Sequence, residues 1–265
     1  MPIPRKIHYC WFGGNELSQS AKKCISSWKK YFPEFDIIEW NETNYDVNKI
    51  FWTRKFYKEK HWSGVSDYAR IDILYMHGGI YFDVDVEVIK PYKLEMLNEG
   101  FWGVEENGMI NSGLGFGCYA NFEPLKEMLI FFKRFRLGGF KLYIITELTK
   151  IFKKYGFKDE NVIQHIARTA IYPSEYFSPK SYITGITTIT ENTYSIHHLD
   201  GSWISKGRHI SIKERWAFYQ KYGNDKYLVD LYEKMKENNI NRMPLKKLYS
   251  VVIKRTIRQL FGVNK

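Results

Sequence analysis

Apolar positions along this chain switch between two periods, and the switches outline a fold. Lys6 to Phe12 is a short apolar and aromatic run ended by Gly13-Gly14, which predicts a buried strand. Ser18 to Tyr31 changes to helical spacing. Ala21, Cys24, Ile25 and Trp28 share one face, and Ser18 or Ser20 is placed to cap the start. After Pro33, Phe35 to Trp40 returns to a strand. Strand, helix and strand in succession predict a βαβ unit within a largely parallel sheet. Asn41 to Tyr57 is polar and aromatic and reads as a loop with a short helix. A second long helix carries Val65, Tyr68, Ala69, Ile73 and Leu74 on its apolar side, with Ser63 or Ser66 as its cap. It stops at His77-Gly78-Gly79, because glycine tolerates the left-handed conformation that ends a helix. Ile80-Tyr81-Phe82 and Phe101 to Glu105 read as strands. Phe122 to Phe135 and Phe140 to Lys154 read as helices divided by Gly138-Gly139, and Gln164 to Tyr172 as one more helix.

A chain of 265 residues can bury a substantial core, and α/β folds of this size form one domain. Aromatic residues make up 17%, which suits stacking on sugars and bases, although most such rings are expected in the core. Three cysteines (Cys10, Cys24 and Cys118) without C-x-x-C spacing argue against a disulfide framework and against zinc, and favour a reducing compartment. No apolar signal region follows the first basic residues, and no run approaches the length of a membrane span. The expectation is a cytoplasmic protein.

The chemistry concentrates between His61 and Lys90. Asp67 and Arg70 lie three apart, on one side of the second helix. The strand after the Gly-Gly turn delivers Asp83 and Asp85. In an extended chain, residues two apart face the same way with Cα atoms roughly 7 Å apart. Two carboxylates aimed at one spot repel unless a cation sits between them. A hard divalent cation, Mn²⁺ or Mg²⁺, answers that need and also neutralises phosphate oxygens.

S-D-x-x-R followed by G-G-I-Y-x-D-x-D resembles the core of the family 32 glycosyltransferases, the sugar-binding-region D-x-D group. It is also similar to the glucosyltransferase domains of large bacterial toxins. The opening Ile3-Pro4-Arg5-Lys6-Ile7-His8-Tyr9-Cys10-Trp11-Phe12-Gly13-Gly14 matches that family's first strand and turn, so the resemblance covers about the first 120 residues. It implies a GT-A-like (Rossmann-like) α/β fold, with a mixed, mostly parallel sheet flanked by helices and a helical C-terminal part. It further implies a metal-dependent, retaining transfer of a sugar from a nucleoside diphosphate donor, a UDP-sugar favoured, to a saccharide hydroxyl.

Residue roles carry over on the matching positions. Asp85 would bind Mn²⁺ or Mg²⁺, and Asp83 the metal or the donor's ribose and sugar. Asp67 and Arg70 would hold sugar hydroxyls and shape the anomeric centre, which makes Asp67, Arg70, Asp83 and Asp85 the catalytic set. Trp11 would stack on the base, and Phe12, Gly13, Tyr81 and Val84 would complete the donor contacts. Asn111 or Ser112 would hydrogen-bond to the donor sugar. The segment His197-His198-Leu199-Asp200-Gly201-Ser202-Trp203 resembles the C-terminal loop that closes the metal and diphosphate site. There His198, or alternatively His197, would be the third metal ligand. Ser202 and Trp203 would bond the diphosphate, and Lys206 would neutralise it. Retention by double displacement needs a carboxylate nucleophile; none is evident, so same-face transfer without a covalent intermediate stands equal to it.

Net charge sharpens the picture at the C-terminus. Of a formal +11, seven charges lie between Arg242 and Lys265, which has no acidic residue. With Leu245, Leu248, Val252, Ile253, Ile257, Leu260 and Phe261 interspersed, the tail fits a basic amphipathic helix lying on an anionic membrane. This divides the chain into a transferase domain, 1–241, and an attachment segment, 242–265. The enzyme would then sit peripherally at the inner face of a bacterial plasma membrane. A lipid-linked saccharide acceptor and a place in capsular or other surface polysaccharide synthesis would follow. No nucleic-acid-binding motif accompanies the charge. Two other classes stay open: a D-x-D phosphohydrolase with the first aspartate as nucleophile, and a non-catalytic nucleotide-sugar-binding protein.

Overall fold

The computed structural model describes residues 2–134, 143–201 and 206–237. Its elements, in order, are β1 (Lys6–Cys10), α1 (Gln19–Tyr31), β2 (Asp36–Trp40), α2 (Phe51–Lys58), α3 (Trp62–His77), β3 (Gly79–Tyr81), β4 (Val86–Val88) and α4 (Leu94–Glu99). Then follow β5 (Phe101–Gly103), β6 (Phe116–Cys118), α5 (Glu123–Arg134), α6 (Tyr143–Lys154), β7 (Gln164–Ile166), β8 (Thr169–Tyr172), α7 (Ser174–Phe177), β9 (Ser195–His197), α8 (Lys206–Tyr222) and α9 (Lys226–Glu237).

Two compact units divide the chain: 1–182 with 187–204, and 183–186 with 205–265. The larger unit is built on a seven-stranded mixed sheet of order β2-β1-β3-β6-β5-β8-β7. β1 pairs in parallel with β2 and β3, and β5 with β8; β6 runs antiparallel between β3 and β5. Side-chain alternation gives this sheet two apolar faces. Cys10, Tyr81, Trp102 and Ile171 enter one core with α2, α3, α5 and α6. Ile7, Tyr9, Ile80, Phe101, Ala170 and Tyr172 enter the other with α1, α4 and α7. Successive strand residues thus feed opposite layers, the period-two rule in operation. The α/β architecture expected from the sequence, a mixed sheet flanked by helices, is present.

Differences from the sequence reading have local causes. Gln164 to Tyr172 is a hairpin of β7 and β8 rather than a helix, turning at Ala167 and Arg168 with φ of 51° and 64°. Two consecutive left-handed residues make the tight turn that joins antiparallel strands. α3 is capped by neither Ser63 nor Ser66; the His61 ring accepts the Gly64 N–H at 3.0 Å. Ser18 does cap α1, accepting the Ala21 N–H. The helix divide at Gly138-Gly139 lies outside the described residues.

A separate two-stranded sheet pairs β4 with β9, bringing the 195–200 stretch beside the D-x-D. The smaller unit contains α8 and α9, where Phe218 stacks on Tyr232 at 4.2 Å. Cys10, Cys24 and Cys118 are buried and free, and burial pushes the Cys10 and Cys24 thiols up to about 12. Among the described residues no helix is long and apolar enough to cross a membrane. The tail, 242–265, lies outside the described residues.

Candidate active site

The site begins with the break after α3. Gly78 and Gly79 take φ of 62° and 100°, and a Cβ on Gly79 would come within 2.7 Å of the Lys6 carbonyl. Only glycine lets β3 start this close to β1. β3 ends at Tyr81, and Asp83-Val84-Asp85 forms a turn closed by Val86 N–H to the Asp83 carbonyl at 3.0 Å. The two carboxylates therefore converge through a turn, not through the pleat of an extended strand.

Arg70 is the hub of the first cluster. Its guanidinium is nearly fully buried, pairs with Asp67 at 3.0 Å and Asp83 at 3.0 Å, and donates through Nε to the Ser66 carbonyl. The Tyr81 hydroxyl donates to the other Asp83 oxygen at 2.9 Å. Burial opposes the Arg70 charge, but Asp83 and Asp67 hold it firmly protonated. For Asp83 burial outweighs the help of Arg70, and with Asp85 nearby its carboxyl is raised.

Asp85 belongs to a second cluster. The His197 Nε2 lies 3.3 Å from one of its oxygens, and the Asp200 N–H donates to the other at 3.0 Å. Burial alone would raise this carboxyl; His197 and the backbone donors hold it down to about 2. Burial disfavours His197 protonation, but Asp85, Asp83 and Glu105 together raise it. Two carboxylates of one motif are thus pushed in opposite directions by their surroundings.

Asp83, Asp85 and His197 each offer a ligand atom within 4.8 Å of one another. His197, the alternative, stands where His198 was expected. The His198 ring, one residue past the end of β9, is turned away to Glu87 at 2.8 Å. Two observations fit a divalent cation here. Among the described residues His197 Nδ1 is buried without a hydrogen-bond partner, an orphan that a ligand would satisfy. Gly113 leaves open a space in which its Cβ would stand 2.7 Å from Asp83 Oδ2. Two carboxylates and one imidazole also suit Mn²⁺ or Mg²⁺ with open positions left over.

Other candidates fall around this centre. Trp11 continues the β1–β2 pairing through its N–H to the Trp40 carbonyl, and its indole N–H donates to Asn15 at 2.6 Å. Phe12 is buried in the core, so any ligand contact from it is through the backbone. Val84 sits in the turn against the second core. Asn111 donates to Glu105 at 2.6 Å and accepts the Gly113 N–H at 2.7 Å, so both ends of its amide shape the turn. Ser112 is buried beside it. Ser202 and Trp203 lie outside the described residues. Lys206 opens α8 in the smaller unit, and its side chain also lies outside them.

Sequence reasoning missed Glu105, Trp62 and the residues that line a cleft with Trp62. Glu105 follows β5 and is held by Asn111; only the fold brings it near His197. Trp62 lies over Gly13, whose Cβ would meet the indole at 2.6 Å. With Glu42, Tyr57 and Lys60 it lines a cleft of about 500 Å³ at the end of β1. Its place at the start of α3, just before S-D-x-x-R, was the available signal.

Residues 18–102 match the family described as "Glycosyltransferase sugar-binding region containing DXD motif". Among curated proteins none matches the chain. Of solved structures, the chain is similar to "PaToxG Glycosyltransferase" at 19% identity, covering 58% of this chain and 69% of that one, with a TM-score of 0.45. It is also similar to "a glycosyltransferase involved in the glycosylation of the major capsid of PBCV-1" at 12% identity, covering 78% and 98%, with a TM-score of 0.41. The family match lies over α1, α3, the Gly-Gly turn and both carboxylates, so this stretch is similar to the D-x-D sugar-binding region of glycosyltransferases.

Proposed function

We propose that the protein is a divalent-metal-dependent transferase that moves a sugar, with retention, from a nucleoside diphosphate donor to a saccharide hydroxyl. The convergence of Asp83, Asp85 and His197 beside the Arg70 hub is the observation that carries this reading. Asp83, Asp85 and His197 would hold Mn²⁺ or Mg²⁺, which supplies positive charge against the leaving diphosphate.

Arg70 fixes the Asp67 and Asp83 carboxylates so that they can accept hydrogen bonds from donor hydroxyls in one orientation. Tyr81 restrains Asp83 from the other side. The cleft beside Gly13 and Trp62 offers room for the nucleoside, with Trp11 at its strand end and a UDP-sugar favoured. No covalent nucleophile is assigned, and same-face transfer needs none. Asp83 has one oxygen on Arg70 and the other on Tyr81, which disfavours a phosphohydrolase that uses it as nucleophile.

Thermal melts with UDP, GDP and CDP, each with Mn²⁺ and with EDTA, test this. A ligand at about 100 times its Kd adds roughly 2.7 kcal/mol to the native state. UDP with Mn²⁺ should raise the midpoint, and both EDTA and Asp85→Ala should abolish the rise. No shift with any nucleotide would remove the transferase reading of this site.

The basic tail supports a peripheral place on an anionic membrane, with a lipid-linked saccharide acceptor in surface polysaccharide assembly. Deleting 243–265 should release the enzyme from anionic vesicles in a pelleting assay. Unchanged pelleting counts against membrane attachment through the tail.

A further inference from the structure

The 197–200 segment is tied down by residues outside the D-x-D. Lys23, on α1, pairs with Glu87 of β4 at 3.0 Å, and Glu87 in turn holds the His198 ring at 2.8 Å. Ser20, one turn earlier on α1, donates to the Asp200 carboxylate at 2.8 Å. Lys180 donates to the His198 carbonyl at 2.7 Å. Between these ties, Leu199 adopts φ of 59°, a left-handed conformation that a leucine avoids unless its surroundings impose it.

The backbone so constrained is the one that meets Asp85. The His198 N–H donates to the Asp85 carbonyl at 2.9 Å, and the Asp200 N–H to its carboxylate at 3.0 Å. His197, on the opposite side of the strand from His198, presents its ring to the same carboxylate. Turning the His198 ring outward to Glu87 and turning the His197 ring inward to Asp85 are therefore one structural event.

We infer that Glu87, acting through His198 and steadied by Lys23, is a positioning residue for the cation centre, and that Ser20 is a second, independent strut acting through Asp200. The inference rests on the metal reading of Asp83, Asp85 and His197. α1 thereby gains a role besides packing. Its apolar face carries Cys24, Ile25 and Trp28 into the core, while its polar face carries the two struts. Partners in the outer shell of metal sites typically contribute about 10- to 100-fold in affinity. The same range is expected here for Glu87.

Mn²⁺ titration followed by electron paramagnetic resonance, without nucleotide, tests this on the full chain. Wild type should bind one tight Mn²⁺, and Asp85→Ala should lose it. Glu87→Ala should weaken binding by about 10- to 100-fold, whereas Glu87→Gln, which keeps an acceptor for His198, should stay within a few-fold of wild type. Ser20→Ala, a change at a half-buried serine outside the core, should weaken binding by a smaller factor. Circular dichroism and melting curves confirm that each variant is folded. If wild type binds and Glu87→Ala binds equally well, the inference falls while the metal reading stands. If wild type binds no Mn²⁺, the metal reading falls and takes the inference with it. Equal loss in Glu87→Ala and Glu87→Gln also overturns it, because the hydrogen bond to His198 is then not what matters.

Discussion

The site has two halves, each held in place by different physics. Asp67, Arg70, Tyr81 and Asp83 form a half anchored to the main sheet and α3, where one buried guanidinium balances two carboxylates. Asp85, His197 and Asp200 form a half that hangs on the small β4–β9 sheet and on contacts between distant stretches of chain. The first half is fixed by local sequence; the second exists only because the strand register is correct. Side-chain chemistry is similar in both, so the contrast is one of support.

The largest effect should come from breaking the anchored half. Arg70→Ala leaves two carboxylates partly buried without their counter-charge, and losing one partner of such a pair costs about 3–5 kcal/mol. Urea unfolding in EDTA measures this without any contribution from metal. A loss below about 1 kcal/mol would mean that water, not Arg70, stabilises Asp67 and Asp83.

Acid should act next, also on the anchored half. His8 is buried in β1, where its Nε2 donates to the Gly78 carbonyl and its Nδ1 accepts the Trp40 indole N–H, both at 3.0 Å. That pair of bonds requires the neutral ring, and burial lowers its pKa to about 4. The folded state thus binds a proton less readily than the unfolded state. The resulting stability is complete above the ordinary histidine value near 6.5 and is lost as pH falls through about 4. The whole window is worth about 3 kcal/mol. His8→Gln should flatten the fall in urea midpoint between those pH values; an unchanged slope would place the acid sensitivity elsewhere.

How far the sequence reveals each half follows from this contrast. S-D-x-x-R and the Gly-Gly turn lie within one helix and its stop, so local spacing suffices to bring Asp67, Arg70 and Asp83 together. The choice between His197 and His198 is different in kind. It depends on whether Val86 faces His197 or its neighbour across β9, and a shift of one residue exchanges the two rings. Nothing in H-H-L-D records that register. Glu105 was missed for a similar reason: its neighbours in sequence say only that a strand ends there. The 164–172 hairpin was missed because its turn uses alanine and arginine in place of the glycine or asparagine that usually marks such a turn.

The smallest effect should come from the hanging half. Leu199→Gly removes a left-handed leucine and should raise stability by up to about 1 kcal/mol, with Mn²⁺ affinity unchanged, as urea melts and a metal titration would show. A drop in affinity would mean that the strain at Leu199 itself aims His197. That outcome would narrow the contrast, since the hanging half would then have an anchor of its own.

The pairing of β4 with β9 also sets a schedule. During synthesis, α3, the Gly-Gly turn and both aspartates leave the ribosome long before His197, since the bond joining Asp85 to Asp200 spans 115 positions. Contacts between such distant positions form only after the intervening chain has been closed into a loop. A half-made chain can therefore pair Asp67 and Asp83 with Arg70 yet lack the His197 that Asp85 meets. The cluster of Asp83, Asp85 and His197 is complete only once the β9 strand arrives.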